Sequence, residues 1–529
     1  MTSQTPNPST VQSNAEHKKL DRSFIKGIAW TGASKYSVQI FTWVATLISA
    51  RLLTPSDYGL MGMSSLYMGL IVSVSEFGFG SAIVTLRNLS DSQIAQINTL
   101  SILLGAVGFL ITWFVAAPLG RFFDAPDLPS VITVMGLAII FSSLQIVPTA
   151  LLKKEYRFKA ISIIWVIRAL VQSSAVVVFA WFGFRYWSLA LGSLIGCALS
   201  AILTFWVRRH WMAMPNFSSL TQVITFSGRM VATNLAWYAH ENADNAIVGR
   251  ILGQTALGSY RVAWDLACAP LEKVTSLICG VTPAFYSSLK DDHGSLRRYL
   301  LKPIGLIALV IFPAMIGMSL VANDAVPALI GPKWEDSIPV LQLLSFFACG
   351  RSIVPLFQQV LVATNETKFV MWNGIITLIV LCVAFIFGSR WGIVGIAAAW
   401  AIAYPVTAAP LYWKVHRKIG LAHTAFFQTL LPAINGSLLM ALAVLAVKLV
   451  LDGRFGPVVW LVLKRYQWDT PYLLDIAAML QWLLDGHFGH TVRLLVQVVC
   501  GGVVYVLAIW TFHREWLLAF RQGLANIRK

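Results

Sequence analysis

Long apolar runs, separated by short polar connections, follow one another along almost the whole chain. A helix needs about 20 mostly apolar residues to cross the ~30 Å hydrocarbon core of a bilayer. Runs of this kind are predicted as spans at residues 24–50, 57–84, 93–117, 129–152, 160–182, 185–207, 226–250, 257–286, 299–321, 337–362, 368–388, 391–413, 427–451 and 491–513. The pattern therefore predicts an all-α polytopic membrane protein with about 14 transmembrane helices.

Four stretches fall outside these runs. Residues 1–23 are polar and rich in Pro, Ser and Thr, which predicts a disordered tail; a second tail follows at 514–529. Residues 208–225 form a linker, and residues 452–490 form a long loop between the last two spans. This loop contains YLLDIAAMLQWLLDG, which is compatible either with a helix in the membrane interface or with an ordinary loop helix. No cleavable signal sequence precedes the first span, so we expect that span to be retained.

Composition supports the membrane interpretation. Of the 529 residues, 57% are hydrophobic and only 12% are charged, and the mean hydropathy is +0.70. Soluble domains carry about 25% charged residues, so lipid must be the main solvent of this chain. The formal net charge is +17, but the positive residues fall between the apolar runs. In these connections the positive residues determine how the helices are oriented in the membrane. Because this accounts for the positive charge, we expect no nucleic-acid partner.

The distribution of positive charge orients the chain. If the N-terminus is cytoplasmic, 23 of the 40 lysines and arginines lie in inside segments and 10 in outside segments. Cytoplasmic loops carry an excess of Lys and Arg. We therefore expect an even number of spans, both termini in the cytoplasm and residues 452–490 on the other side.

The chain contains an internal repeat. The segment SARLLTPSDYGLMGM (49–63) is echoed by VGRILGQTALGSYRV (248–262) at an offset of 199 residues. The tripeptide Ile-Val-Pro at 146–148 recurs at 353–355. Two parallel six-helix lobes are predicted, 24–207 and 226–414, with two extra helices in 427–513. Transporters commonly place their substrate between two such halves.

Several of these segments resemble a known family. ARLLTPSDYGL, SEFGFGSAIV (75–84), IVPTALLKKEYRFKA (146–160) and NADNAIVGRILGQTALGSYRVA (242–263) are similar to polysaccharide flippases. The similarity is to the colanic-acid-exporter-like branch of the multidrug/oligosaccharidyl-lipid/polysaccharide exporter superfamily. It implies flipping of an undecaprenyl-diphosphate-linked oligosaccharide across the bacterial inner membrane, for exopolysaccharide or O-antigen assembly. It also implies contact with membrane lipids, and allows a polysaccharide polymerase and a chain-length regulator as partners.

Cations inside predicted spans are the candidate substrate-binding residues. A charge at a helix centre costs about 2.5–3.5 kcal/mol on insertion scales, so it should face a partner or a wet cavity. Lys35 and Gln39 lie on a polar stripe of the first span, which suits either a cavity wall or hydrogen bonds between helices. Arg168, Arg229 and Arg351 have no carboxylate nearby on their own helix, and guanidinium clamps phosphate oxygens well.

A second set of charged residues is predicted to act in coupling or gating. In the seventh span His240 and Asp244 are four residues apart and Glu241 lies beside them, which suits either a proton-coupling pair or a structural pair. Arg261 and Asp265 can pair in the same way in the eighth span. Glu76, alone in the second span, is a candidate gate partner for one of the cations.

No catalytic signature is present in the sequence. It contains no Walker A, HExxH or GxSxG motif and no CxxC pair, so we expect no cofactor, no metal and no enzymatic activity. One alternative is a cation-coupled multidrug-type exporter, which would favour carboxylates over cations in the cavity. Another is a polysaccharide polymerase or ligase with catalytic residues in the loop 452–490. The two-fold repeat favours a transporter over a polymerase or ligase, and the cations within the spans favour an anionic substrate over a multidrug substrate.

Overall fold

The computed structural model describes residues 38–76, 78–86, 89–451 and 489–512, and all the regular structure in these ranges is helical. The helices are α1 (Val38–Leu52), α2 (Pro55–Ser75), α3 (Phe79–Thr85), α4 (Asp91–Phe123), α5 (Leu128–Lys154), α6 (Phe158–Trp181), α7 (Tyr186–Val207), α8 (Thr221–Cys279), α9 (Thr282–Ser288), α10 (His293–Leu329), α11 (Ser337–Arg351), α12 (Val354–Ala363), α13 (Thr367–Gly388), α14 (Gly392–Ile419), α15 (His423–Leu451) and α16 (Gly489–Phe512). Short 3₁₀ turns lie at Pro332–Trp334 and Ser389–Trp391.

Membrane-spanning helices dominate the described part of the chain. By length and apolar composition, 9 helical stretches there could cross a membrane, or 10 if α2 and α3, which meet at 42°, form one bent span. The prediction of a polytopic all-α membrane fold is confirmed. The count of fourteen stays a prediction, since the start of the first predicted span and most of the loop 452–490 lie outside the described residues.

The starts of α2 and α4 follow from local sequence. Thr54 accepts a hydrogen bond from the backbone N–H of Asp57, whose carboxylate accepts the N–H of Thr54 at 2.9 Å. Ser90 and Gln93 form the same reciprocal pair before α4. Such capping boxes satisfy backbone donors that a helix start leaves open.

The two halves of the repeat share a break at the same place. Helix α8 is interrupted at Gly253, where φ is +84°. Glycine adopts this conformation without a steric penalty. At the repeat offset of 199 residues, Gly253 corresponds to Thr54, which lies at the junction of α1 and α2. Each half of the repeat therefore turns between its first and second predicted spans.

The chain divides into two compact units, residues 1–246 and 247–529. In the first unit, α4 packs on α5, α6 on α7, α5 on α7, and α3 on α5. Phe79, Ile97 and Val147 are among the fully buried side chains of its core. This division falls inside α8, and the predicted lobe boundaries at 24–207, 208–225 and 226–414 remain predictions.

The second unit repeats that set of neighbours. Helix α10 packs on α11, α13 on α14, both α11 and α12 on α14, and α9 on α12. Helices α13 and α14 approach closely at Gly388, where an added Cβ would lie 2.5 Å from the carbonyl oxygen of Gly395. The two extra helices, α15 and α16, pack on each other and on α10, and Tyr505 of α16 donates to the Leu309 carbonyl at 2.6 Å.

Candidate functional site

The polar stripe of the first span is only partly described. Lys35 lies outside the described residues, and Gln39 is half-buried on α1. The hydroxyls of Thr42 and Thr46 donate to the backbone carbonyls of Gln39 and Thr42, at 2.9 and 2.8 Å. These hydroxyls are satisfied within their own helix, so the stripe is compatible both with a cavity wall and with helix packing.

Arg168 faces the neighbouring helix of its hairpin. Its side chain is half-buried on α6, and Nη2 lies 3.3 Å from Sγ of Cys197 on α7. Thiol sulfur is a weak acceptor, which leaves most of the guanidinium's donor capacity for other groups. The side chain of Arg229, the next predicted cation, lies outside the described atoms.

The predicted coupling residues of the seventh span lie on the first arm of α8. Asp244 is fully buried, whereas His240 and Glu241 are half-buried. The Oδ1 of Asp244 accepts the backbone N–H of Asn245 at 2.7 Å and its side-chain amide at 3.0 Å. Asn245 therefore fixes the orientation of this carboxylate.

Glu76, the proposed gate partner, lies at the turn between α2 and α3. Lys153, at the end of α5, is close enough for its charge to act on the Glu76 carboxyl. Both residues belong to the first unit. The structure thus gives Glu76 a cationic neighbour that spacing along the sequence did not indicate.

In the second unit Arg261 and Asp265 lie one turn apart on α8. The two residues are four positions apart, so their side chains lie on the same face of the helix, and the charge of Arg261 acts on the Asp265 carboxyl. The predicted pairing of these two residues is therefore compatible with the structure. Trp264, immediately before Asp265, is half-buried and packs against the rings of Phe347 and Trp400.

Arg351, the last residue of α11, rests on aromatic rings. Its guanidinium carbon lies 5.1 Å from the ring centroid of Trp264 and 5.9 Å from that of Phe347. Trp400 in turn lies 5.3 Å from Trp264 and 5.0 Å from Phe347, centroid to centroid. Its indole N–H donates to the Tyr260 hydroxyl at 3.0 Å. Stacking of this kind holds a guanidinium in a fixed orientation without neutralising its charge.

Sequence patterns did not indicate this aromatic support, because its members come from α8, α11 and α14. A second set was also missed: Asp324 of α10 contacts His490 and Gln497 of α16. The apolar run of α10 fades near residue 321, which predicts that Asp324 lies beyond the span, but the helix continues to Leu329. A carboxylate close to the end of an apolar run was the only available signal.

The structure brings together some of the predicted residues. Arg261 and Asp265 lie on the same face of α8. Arg351 lies against Trp264, which precedes Asp265 in the sequence. In the first unit, Arg168 contacts the thiol of Cys197. His240, Glu241 and Asp244 lie within about one turn of one another on α8. Among the described residues no cluster of three or more His, Cys, Asp or Glu could hold a metal ion.

The chain is a multi-pass α-helical membrane protein whose two units repeat one packing pattern and carry charged side chains within apolar helices. It belongs to the polysaccharide biosynthesis protein family, whose model matches residues 48–339, more than half of the chain. The family resemblance drawn from the sequence is thereby confirmed.

Characterised relatives cover most of the chain. The lipopolysaccharide biosynthesis protein WzxC of Escherichia coli K12 is 25% identical over 408 residues, which are 76% of this chain and 82% of WzxC. The teichuronic acid biosynthesis protein TuaB of Bacillus subtilis is 20% identical over 78% of this chain and 86% of its own length. The succinoglycan biosynthesis transport protein ExoT of Rhizobium meliloti is 22% identical over 75% of this chain and 81% of its own length.

Solved structures share the fold. The lipid II flippase MurJ, in an inward closed conformation, matches with a TM-score of 0.70 at 14% identity, over 92% of this chain and 99% of MurJ. An inward-facing multidrug resistance transporter of the MATE family matches with a TM-score of 0.57 at 12% identity, over 72% of this chain and 94% of its own. The fold is therefore shared with both flippases and multidrug transporters.

Proposed function

We propose that this chain is a flippase that moves an undecaprenyl-diphosphate-linked oligosaccharide repeat unit across the bacterial inner membrane, for exopolysaccharide or O-antigen assembly. Family membership over residues 48–339 is the observation that carries the proposal. The names of the relatives place them in lipopolysaccharide, teichuronic acid and succinoglycan biosynthesis, and one is named a transport protein. The chain is a transporter and not an enzyme.

The mechanism follows from charge complementarity. A diphosphate that leaves the headgroup layer loses hydration, and basic side chains in a wet cavity replace it. Arg351 suits this role, because Trp264 and Phe347 support its guanidinium while leaving it charged. Arg168 suits it because its contact at 3.3 Å is with a neutral thiol. Lys35, Arg229 and Gln39 complete the proposed substrate-binding set.

Transport is proposed to proceed by alternating access, with one lobe rocking against the other. The α8 group His240, Glu241 and Asp244, together with the Arg261–Asp265 pair and Glu76, would couple or gate this movement. Both termini are proposed to be cytoplasmic, and a polysaccharide polymerase and a chain-length regulator are proposed partners. A multidrug-type exporter is the second candidate, favoured only by the fold it shares with the MATE transporter.

The test is complementation of a strain that lacks its own flippase for the polymer. The wild-type chain should restore surface polysaccharide, and lipid-linked repeat units should stop accumulating at the inner leaflet. Resistance to cationic drugs, measured in the same strain, should not change. Increased drug resistance without polymer export would instead favour the multidrug exporter.

A further inference from the structure

The segment that joins α7 to α8 runs back along the first turns of α4. Residues 208–219, called the strap below, have no regular structure of their own, and polar side chains of α4 hold their backbone. The N–H of Ala213 donates to the hydroxyl of Thr99 at 3.1 Å, and the N–H of Asn216 donates to Oε1 of Gln96 at 3.1 Å. The strap therefore follows α4 towards the start of that helix.

Further contacts fix the two ends of the strap. The carbonyl of Trp211 accepts from Nδ2 of Asn98 at 3.3 Å, and the carbonyl of Ser219 accepts from Nε2 of Gln93 at 2.9 Å. Leu220, which follows the strap, is fully buried in the core of the first unit. The strap is therefore a fixed part of the first unit.

The strap lies where spanning helices leave the membrane. It begins directly after Val207, the last residue of the spanning helix α7. Helix α4 has 33 residues, which is about 50 Å at 1.5 Å per residue and exceeds the ~30 Å hydrocarbon core. Its first two turns therefore reach into the interfacial layer. Irregular backbone at this depth needs hydrogen-bond partners within the protein, and the polar side chains of α4 supply them.

The outer face of the strap is apolar. Trp211 and Met214 are 86% and 90% exposed, and Met212 and Phe217 are exposed as well. Water in contact with so many large apolar side chains in one short segment is unfavourable, and such patches mark interaction sites. Tryptophan in particular is enriched at the level of lipid headgroups.

Cations lie beside this apolar face. Arg209 is exposed, and its guanidinium carbon lies 5.7 Å from the ring centroid of Phe205. Arg208 donates from Nε to Oε1 of Glu155 at 2.8 Å, which connects the strap to the turn between α5 and α6. Four more exposed cations lie around that turn: Lys153, Lys154, Arg157 and Lys159.

Positive charge exceeds negative charge at this edge of the first unit. Three acidic groups lie there: Glu155, Asp91, whose charge acts on His210, and Glu76, on whose carboxyl Lys153 acts. The six cations of the strap and the turn outnumber them. A basic surface with exposed aromatic side chains suits anionic lipid, since each Lys or Arg near such a surface strengthens binding roughly fivefold.

We propose that the strap and the α5–α6 turn form a binding surface for anionic phospholipid headgroups. Trp211 and Met214 insert below the headgroups, while Arg209 contacts their phosphates. The first unit is thereby attached to the interface through the segment that leads into α8. This surface is independent of the identity of the transported substrate.

The experiment is photo-cross-linking of the full chain in lipid nanodiscs. The probe is a phospholipid with a diazirine near its headgroup, made either with anionic phosphatidylglycerol or with neutral phosphatidylcholine, and the labelled peptides are mapped by mass spectrometry. Labelling of residues 209–217, relative to α6, should be at least about fivefold higher with the anionic probe. Arg209→Gln should reduce that preference roughly fivefold, since it removes one cation.

Two tryptophan substitutions test the apolar contact. Trp211→Ala should lower labelling of the strap by both probes. Trp181→Ala is the matched control, because Trp181 is also exposed but lies at the opposite end of α6 from the α5–α6 turn, and it should leave labelling of the strap unchanged.

Two results would overturn the proposal. One is a wild-type strap that stays unlabelled while α6 and α7 are labelled, as expected if a second copy of the chain or another protein covers it. The other is equal labelling of the wild-type strap by the two probes. Arg209→Gln changes an exposed side chain, so the test of charge holds even if Trp211→Ala fails to fold.

Discussion

Reversal of the charge at Arg351 gives the sharpest test of the cationic mechanism. The guanidinium lies over Trp264 at 5.1 Å and Phe347 at 5.9 Å. Such contacts contribute about 0.5–1 kcal/mol at exposed sites and about 2 kcal/mol when desolvated. A hydrogen bond from a charged group to phosphate adds about 1.5–3 kcal/mol. Loss of that bond should lower apparent substrate affinity roughly ten- to a hundredfold.

Two substitutions separate charge from orientation. Arg351→Glu removes the phosphate contact and repels the substrate, so polymer export should fall to background. Arg351→Lys keeps the charge but loses the planar stacking on Trp264. Export should then be intermediate, because ammonium binds phosphate as a point charge without a fixed geometry.

The assay is polymer export in a strain lacking its own flippase, at matched membrane levels of each variant. Arg390→Glu is the matched control: it makes the same charge change in the same unit, on an exposed arginine that also rests on one ring, Phe387, at 5.4 Å. Arg390 lies at the turn between α13 and α14, and its variant should export normally. Wild-type export by a stable Arg351→Glu protein would refute the mechanism at this position.

Three further predictions concern topology and stability. Reporter fusions at Lys418 and Gly456 should report opposite sides of the membrane, and the same side for both would exclude the proposed orientation. Gly388→Ala should lower thermal stability by about 1–3 kcal/mol, since its Cβ would meet a carbonyl oxygen at 2.5 Å, whereas Gly374→Ala has open space and should not. Hydrogen bonding from Lys418, and then from Lys414, holds the pKa of Glu366 below its ordinary value of 4.5. The stabilisation is therefore present above that value and lost as the pH falls through the lowered pKa, so Glu366→Gln should flatten the acid side of the thermal-stability profile.

The helices themselves could be predicted from the sequence because the bilayer imposes a length and an apolar composition on each span. The separation of α13 from α14 at Ser389–Trp391 follows the predicted boundary between 388 and 391. The capping box at Thr54 is a local sequence signal as well. Orientation and the roles of His240, Asp244 and Glu76 stay predictions, because they depend on how the protein sits in the membrane and moves.

The sequence by itself determined the membrane class, the approximate positions of the described helices and the family, because each rests on composition or on local pattern. Only the tertiary structure decided which side chains meet. Asp324 contacts a histidine 166 residues away, and Arg351 reaches a tryptophan on α8. Such partners depend on which helix faces pack together, and hydrophobic periodicity does not specify that. The end of α10 shows the physical reason. The helix continues beyond its apolar run and includes the charged Asp324, because His490 and Gln497 of α16 contact its carboxylate.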